Sequence, residues 1–379
     1  METLLNWVEI SRENLTHNVK TFRKLIGKDR VLCPAVKANA YGHGMTECAP
    51  VILEAGADWL GVNSLEEALK LRERGVKTPI YIMGYVPKDR LEETVRNNFR
   101  FVVYNEETLN RLASICNNTK SEALTHLKLE TGNNRQGVRK EELERFMDIY
   151  RKNPLIKLEG LATHFANIED TVDHSYLDFQ LDNFKKMLAI IKAMGFDPPY
   201  KHCANTAAAI LFPKTYFNMA RTGIGTYGLW PSNETLISAH HEGVKVDLKP
   251  VMSWKTRIAQ IKDVPEGDFV GYGCTYRTQR ESRIAVLPVG YYEGYDRELS
   301  NLGYVLIDGK RAPVRGRICM NMTMVDVTNI PEAKVEDEVV LLGSQKDECI
   351  SAEQMAEWLK TINYEVVTQI HESIKRVLV

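Results

Sequence analysis

Residues 59–84 read WLGVNSLEEALKLRERGVKTPIYIMG, and the class of the fold follows from their pattern. Trp59 to Asn63 is a short apolar run, too brief for a helix and bounded by polar residues. Ser64 follows, with Glu67 three places on, which is the pattern of a capping box that starts a helix. Gly75 stops that helix about three turns later, and Pro79 to Gly84 is a second apolar run. Neither run alternates with polar residues, as befits strands buried on both faces of a parallel sheet. The segment therefore predicts one strand–helix–strand unit.

The same texture recurs on both sides of this segment. Apolar runs at Arg30–Lys37, Arg100–Tyr104, Thr125–Thr131, Leu158–His164, Lys201–Asn205 and Met219–Tyr227 join the two above, with amphipathic stretches between them. Asn105-Glu106-Glu107 opens another helix, with its acidic residues at the positive end of the helix dipole. Eight such repeats within about 200–250 residues is the count of a (β/α)8 barrel. An open doubly wound sheet is the alternative, but it seldom needs eight units in a row. The expected fold is thus α/β, a (β/α)8 TIM-type barrel over residues 11–240 followed by a mostly β domain over 241–379. In that second part Val251–Asp263, Phe269–Thr278, Ser282–Val289, Tyr304–Ile307, Ala312–Cys319, Thr323–Val327 and Val339–Leu342 alternate apolar and polar residues. Turns such as Asp308-Gly309 separate them, as in antiparallel strands. Ser351 to Lys360, and Tyr364 onward, read as helical. Trp7-Val8-Glu9-Ile10, within residues 1–10, reads as a strand that pairs with this second domain. No internal repeat and no low-complexity tract is visible.

Composition excludes several classes of function. Lys plus Arg number 49 against 50 Asp plus Glu, a net charge of -1, which leaves no basic excess for nucleic acid or an anionic membrane. Met1 to Trp7 carries no basic n-region or long apolar h-region, and no apolar run nears the roughly 18 residues of a membrane span. A cytoplasmic location is expected. The seven cysteines are scattered, odd in number and never spaced C-x-x-C, so neither a metal site nor a disulfide framework is expected. His240-His241 reads as a solvated loop.

The candidate chemistry lies at the ends of the predicted barrel strands. Lys37, Arg135, His164, Asn205, Thr206 and Arg221 all fall in, at the end of, or just after those strands, where a barrel builds its active site. Lys37, within Pro34-Ala35-Val36-Lys37, stands in an apolar strand. An unpaired buried ammonium costs several kcal/mol. It is either paired with a carboxylate or a Schiff-base lysine, whose pKa burial lowers. Barrels often bind phosphate after their seventh and eighth strands. Those loops hold Asn205-Thr206 and Thr222-Gly223-Ile224-Gly225, with hydroxyl and amide donors for an anion. A Gly-x-Gly alone is ordinary turn chemistry, and coupling to a strand-end lysine strengthens it.

Over its full length the chain resembles the alanine racemase family. The match is carried by Ala35-Val36-Lys37-Ala38-Asn39-Ala40-Tyr41-Gly42-His43-Gly44, Lys128-Leu129-Glu130-Thr131-Gly132, Thr163-His164-Phe165-Ala166, His202-Cys203-Ala204-Asn205-Thr206 and Arg221 through Leu229. In the second domain it includes Gly271-Tyr272-Gly273, Pro288-Val289-Gly290-Tyr291, Cys319-Met320 and Asn363-Tyr364-Glu365. The resemblance implies a pyridoxal 5'-phosphate enzyme that interconverts L- and D-alanine by two bases, supplying peptidoglycan. Lys37 would hold the cofactor and act on one face of Cα, and Tyr272 of a second copy on the other, within a head-to-tail homodimer. Tyrosine is a poor base at its usual pKa of about 10, and cations such as His164 and Arg221 would lower it. Arg221, always protonated, would face the pyridine nitrogen and leave it bare. Tyr41, Thr206, Gly223 and Ile224 would bind the phosphate, with His164, Asn205 and Tyr364 also at the cofactor. Arg135 and the main chain of Met320 would bind the substrate carboxylate, while Tyr291 and Tyr364 narrow the pocket to a methyl. Lys128 matches a position often carbamylated in the family; a plain salt-bridged lysine is the other reading.

The chain departs from the family at Asn133-Asn134-Arg135-Gln136, which is unusually polar. Asn321 stands after Met320 where Asp is usual, and His371 to Arg376 lacks the proline- and arginine-rich ending. These changes bear on substrate choice, so a serine or broad-specificity racemase is the near alternative. A barrel decarboxylase would set a carboxylate, not Arg221, against the pyridine nitrogen. A non-catalytic pyridoxal-phosphate carrier would lack the second domain. Met45, Met83 and Met252 read as packing, and His17, His126 and His174 as surface residues without a role.

Overall fold

A computed structural model describes residues 4–379; residues 1–3, on which part of the amino-terminal reading rests, lie outside the described residues. The chain divides into two compact units. One comprises Leu15–Ala38 and Ala49–Lys249, the other Asn39–Cys48, Pro250–Val379 and the amino-terminal residues up to Asn14.

The first unit is built on eight short parallel strands: β1 (Val31–Leu32), β2 (Leu60–Val62), β3 (Ile80–Ile82), β4 (Arg100–Val103), β5 (Ala123–Lys128), β6 (Ile156–Ala162), β7 (Tyr200–His202) and β8 (Met219–Ala220). Strands β2 to β7 form one continuous sheet, and β1 pairs with β8. Main-chain bonds close the ring: Val36 N donates to Gly61 O at 2.7 Å and Arg221 N to Ala204 O at 3.0 Å. Leu32, Leu60, Val62, Ile80, Ile82 and Phe101 are wholly buried, each worth about 1.5–3 kcal/mol relative to exposure. The capping box forms as expected. Glu67 N donates to Ser64 Oγ at 3.3 Å, and Ser64 N to Glu67 Oε2 at 3.3 Å. The other oxygen, Oε1, accepts from Ala38 N at 2.7 Å, so the cap of one helix also holds the backbone beside Lys37.

Two expected strands end early. Lys37 does not lie inside a strand: it opens a left-handed turn in which Ala38, Asn39, Ala40 and Tyr41 have φ of 51°, 53°, 56° and 53°. Only Asn tolerates this region well, and each other L-residue costs roughly 1–2 kcal/mol. Local bonds hold the turn: Gly44 N donates to Asn39 O at 2.9 Å, and Met45 N to Asn39 Oδ1 at 2.9 Å. Likewise β8 stops at Ala220, and Ile224–Tyr227 is a 3-10 turn. Gly225 is required there, because a Cβ would stand 2.5 Å from Thr206 Cγ2 and 2.7 Å from Phe22 Cζ.

In the second unit the strand Asn6–Ile10 lies between Met252–Arg257, antiparallel, and Lys375–Leu378, parallel. A smaller sheet joins Gln260–Val264, Ser282–Leu287 and Thr323–Asp326. The expected strand over 269–278 is instead a loop around the 3-10 turn Tyr272–Cys274, because Gly271 and Gly273 take φ of 74° and 72°. Beyond Pro313 the expected strand over 312–319 is likewise lost. The final helix covers only Asn363–Thr368, and the chain then returns as a strand. Its buried Arg376 donates to the carbonyls of Gly42 at 3.1 Å, Ile370 at 2.9 Å and His371 at 2.7 Å. His240-His241 ends the helix Asn233–His241 and is exposed, so it is not a loop. Among the described residues no helix is long and apolar enough to cross a membrane, and no metal-binding cluster is present.

Gly42 and Gly75 separate two costs. Both have positive φ, 82° and 83°, but a Cβ at Gly42 would stand 1.9 Å from Val367 O, whereas nothing lies within 4 Å of one at Gly75. Gly75→Ala should therefore lower stability by about 1 kcal/mol, and Gly42→Ala by several times as much. Denaturant unfolding checks this; equal losses would remove the close approach at Gly42.

Candidate active site

In the barrel unit Lys37, Lys128, Arg135, His164, Asn205, Thr206, Arg221, Gly223 and Ile224 all stand at or just beyond the carboxyl ends of the strands. Arg221 is buried inside this rim. Its Nη2 donates to Thr163 O at 3.0 Å and its Nη1 to His202 Nδ1. Thr163 is itself fixed, donating to Leu129 O at 3.0 Å and lying 2.8 Å from Thr131 Oγ1.

A guanidinium cannot shed its proton, so its neighbours adjust. Burial, then the charge of Arg135, holds the Lys37 amine below the ordinary lysine value; Glu67 opposes this and Arg221 adds to it. Burial followed by Arg221 and Arg135 lowers Lys128 further, against Glu130. His164 is held well below 6.5 by burial and then by Lys128, Arg221, Arg135 and Lys37. Burial and Arg221 do the same to His202. The cations at this mouth outnumber the carboxylates that reach them. That donor set fits a ligand carrying several negative charges, and the amine of Lys37 fits a covalent bond to an aldehyde.

The phosphate-side residues are built tightly. Asn205 caps the helix Thr206–Leu211, its Oδ1 accepting from Ala208 N at 3.0 Å, while its Nδ2 donates to Glu169 at 2.8 Å. Both ends of that side chain are engaged in shaping the turn. Gly223 N donates to Thr206 Oγ1 at 2.8 Å, joining the two loops. The polar departures around Arg135 also have partners. Asn133 Nδ2 donates to His164 O at 3.3 Å, and Gln136 Nε2 to Tyr104 Oη at 3.2 Å, pinning both sides of the exposed Arg135.

The remaining candidates belong to the second unit. The rings of Tyr41 and Tyr364 are 6.1 Å apart. Tyr291 N donates to Cys319 O at 3.1 Å and Tyr292 N to Met320 O at 2.9 Å, so Tyr291 and Met320 sit on paired loops. Gly290 allows this, since a Cβ would meet Cys319 O at 2.1 Å. Asn321 Nδ2 donates to Glu293 Oε1 at 2.7 Å, which explains its amide. Tyr272, Met320 and Tyr291 are 72%, 55% and 43% exposed.

Sequence reading missed three residues. His126 is wholly buried, not on a surface, with its Nδ1 2.7 Å from Nε2 of His202. His202 had no assigned role, and Glu159, 3.4 Å from His126 Nε2, was not singled out. The available signal was two histidines and a glutamate standing within the predicted strand runs.

The chain matches the family described as alanine racemase, N-terminal domain over residues 10–231, and alanine racemase, C-terminal domain over residues 251–378. An alanine racemase of Leptospira interrogans is 41% identical over 381 residues, spanning 100% of this chain and 97% of that protein. Among solved structures, alanine racemase from Bacillus anthracis with bound L-Ala-P has a TM-score of 0.93 at 35% identity, covering 100% of this chain and 96% of that one. Alanine racemase from Bartonella henselae with covalently bound pyridoxal phosphate has a TM-score of 0.86 at 26% identity, with 100% of each chain covered.

Because its pKa is lowered, Lys37 loses its proton at a lower pH than a surface lysine and offers more free amine near neutrality. Competitive acetylation of the ligand-free protein followed by peptide mapping across pH should show Lys37 reacting ahead of exposed lysines such as Lys140. An onset at the surface-lysine pH would disprove the shift.

Proposed function

This chain belongs to the alanine racemase family of isomerases, and from that premise we propose that it interconverts L-alanine and D-alanine with pyridoxal 5'-phosphate. It does so in the cytoplasm as a homodimer with shared active sites, supplying D-alanine for peptidoglycan. The observation that carries this reading is the place of Lys37 at the strand-end rim that also holds Arg135 and the buried Arg221, where burial and then those charges lower its amine.

Pyridoxal phosphate, held on Lys37 Nζ, supplies an electron sink that acidifies the Cα–H of a bound amino acid. The residues of the chain do the rest. Thr206, Gly223, Ile224 and Tyr41 bind the phosphate, with Asn205 shaping the turn and His164 and Tyr364 beside the cofactor. Arg221 would face the pyridine nitrogen and, being unable to give up its proton, would leave that nitrogen bare. Arg135 and the main chain of Met320 bind the carboxylate, and Tyr291 limits the side chain to a methyl. Once the amino group of the substrate has replaced it on the cofactor, the freed Lys37 Nζ would exchange a proton with one face of Cα, and Tyr272 Oη from a second copy of the chain would do so with the other. Racemisation needs donors on both faces, since the proton leaves one side and returns on the other. The exposure of Tyr272, Met320 and Tyr291 supports this sharing, because large apolar side chains left open to solvent are what an interface with a second copy would cover.

Lys128 we assign as a carbamate. Its neutral amine, favoured by burial and by Arg221 and Arg135, adds carbon dioxide; an N–C bond forms, a proton leaves to solvent, and the negative charge steadies Arg135.

The deciding experiment is chiral chromatography of the purified protein with pyridoxal phosphate and a panel of L-amino acids. D-alanine should form rapidly with serine far behind, and no racemisation of any amino acid by cofactor-loaded protein would overturn the reading. Lys37→Ala should lose the cofactor's visible absorbance. Tyr272→Phe should keep it while turnover falls about 10²-fold or more; normal turnover would remove Tyr272 as a base. Full activity in a species shown to be monomeric would sink the shared site. Carbon-13 bicarbonate should give a carbamate resonance that Lys128→Ala abolishes.

A further inference from the structure

Behind Arg221 runs a line of polar side chains whose direction is fixed at both ends. A guanidinium has donors only, so Arg221 Nη1 donates to His202 Nδ1, and that nitrogen is bare. A neutral imidazole with a bare Nδ1 carries its proton on Nε2. His202 Nε2 lies 2.7 Å from His126 Nδ1 and therefore donates to it, which places the His126 proton on Nε2 as well. That nitrogen stands 3.4 Å from Glu159 Oε2. The contact is longer than a good hydrogen bond, yet among the described residues the nitrogen has no other partner. Glu159 is gripped from outside by Arg100, whose Nε and Nη2 reach its two oxygens at 3.2 and 3.3 Å.

The surroundings are shaped for this line. Glycine at 160 leaves room for the His126 ring, since a Cβ there would lie 2.5 Å from its Nδ1. The pairing of β5 with β6 shifts register at Thr125/His126, which re-aims the ring. Tyr81 and Tyr200 flank the ring at 4.7 and 6.0 Å, and Arg100 lies over Trp59 at 5.3 Å. A carboxylate, two neutral rings and a guanidinium thus alternate acceptor with donor and polarise one another.

We propose that Glu159, held by Arg100, is a positioning residue that acts through His126 and His202 to fix Arg221. The carboxylate biases both rings toward the Nε2–H tautomer and keeps His202 Nδ1 a strong acceptor, so the guanidinium keeps one orientation. The consequence for turnover rests on the reading that Arg221 faces the cofactor; the tautomers do not.

The test uses 15N-histidine-labelled protein, with and without pyridoxal phosphate, and long-range proton–nitrogen spectra assigned with His126→Gln and His202→Gln. Both rings should show a protonated Nε2 and a bare Nδ1. A proton on Nδ1 of either ring, or a doubly protonated ring, overturns the proposal. Glu159→Gln keeps the shape and removes the charge. It should move the His126 Nε2 proton resonance upfield and lower kcat about tenfold, with KM changed less than about twofold. Unchanged kcat and an unmoved resonance in cofactor-loaded Glu159→Gln would also overturn it. Failure to bind pyridoxal phosphate at all would sink the cofactor reading instead, while the spectra of the cofactor-free protein would still decide the tautomers.

Discussion

The protonated guanidinium of Arg221, buried within the rim of the barrel, is the constraint to which the site answers. A buried charge is tolerated only where acceptors replace its water, and here Thr163 O and His202 Nδ1 do so. Because arginine keeps its proton, neighbouring groups give way. His202 and His164 stay neutral, the amines of Lys37 and Lys128 are lowered, and each responds first to burial and then to the cationic surroundings. The thiols of Cys33 and Cys203 are pushed up by burial to about 12 even though Arg221 opposes it, so they remain packing groups. Burial together with these fixed cations thus leaves free amines and neutral rings in one small volume, while burial alone, against the pull of Arg221, keeps the thiols protonated.

The frame around that charge was largely legible in the sequence, because continuous apolar runs, a capping box and glycine stops are local signals. What escaped was conformation set by distant partners. No local rule favours positive φ at Ala38, Ala40 and Tyr41, since sterics oppose it. The turn persists because Glu67, from the next repeat, accepts from Ala38 N and because Asn39 ties down Gly44 and Met45. The strand Lys375–Leu378 was hidden for a similar reason: its partner is Asn6–Ile10, at the other end of the chain. The loop around Tyr272 looked like a strand because period-two alternation does not register two glycines at positive φ.

Motif residues of the site were legible from resemblance, while those acting behind them were not. His126 is a strand residue, and alternation alone cannot say whether a strand histidine faces helices or the barrel interior. Its position became readable only with Gly160, whose missing Cβ makes room for the ring. Glu159 lies beside that glycine and pairs with Arg100, so sequence alone gives it the look of a strand-end salt bridge.

The departures from the family pattern also follow from pairing. Asn133 and Gln136 donate to His164 O and Tyr104 Oη, bonds that apolar residues could not make, and both leave Arg135 on a pinned loop. Asn321 is the sharper case. It donates to a Glu293 oxygen at 2.7 Å, while the other Glu293 oxygen accepts from Gly290 N at 2.8 Å. An aspartate at 321 would press two carboxylates together at that distance, which raises the pKa of one or drives the pair apart. Position 321 is therefore coupled to Glu293, and through Gly290 to the paired loops that carry Tyr291 and Met320. A change of charge at 321 without one at 293 would disturb the loops proposed to bind the substrate carboxylate, whereas the amide found here keeps them joined.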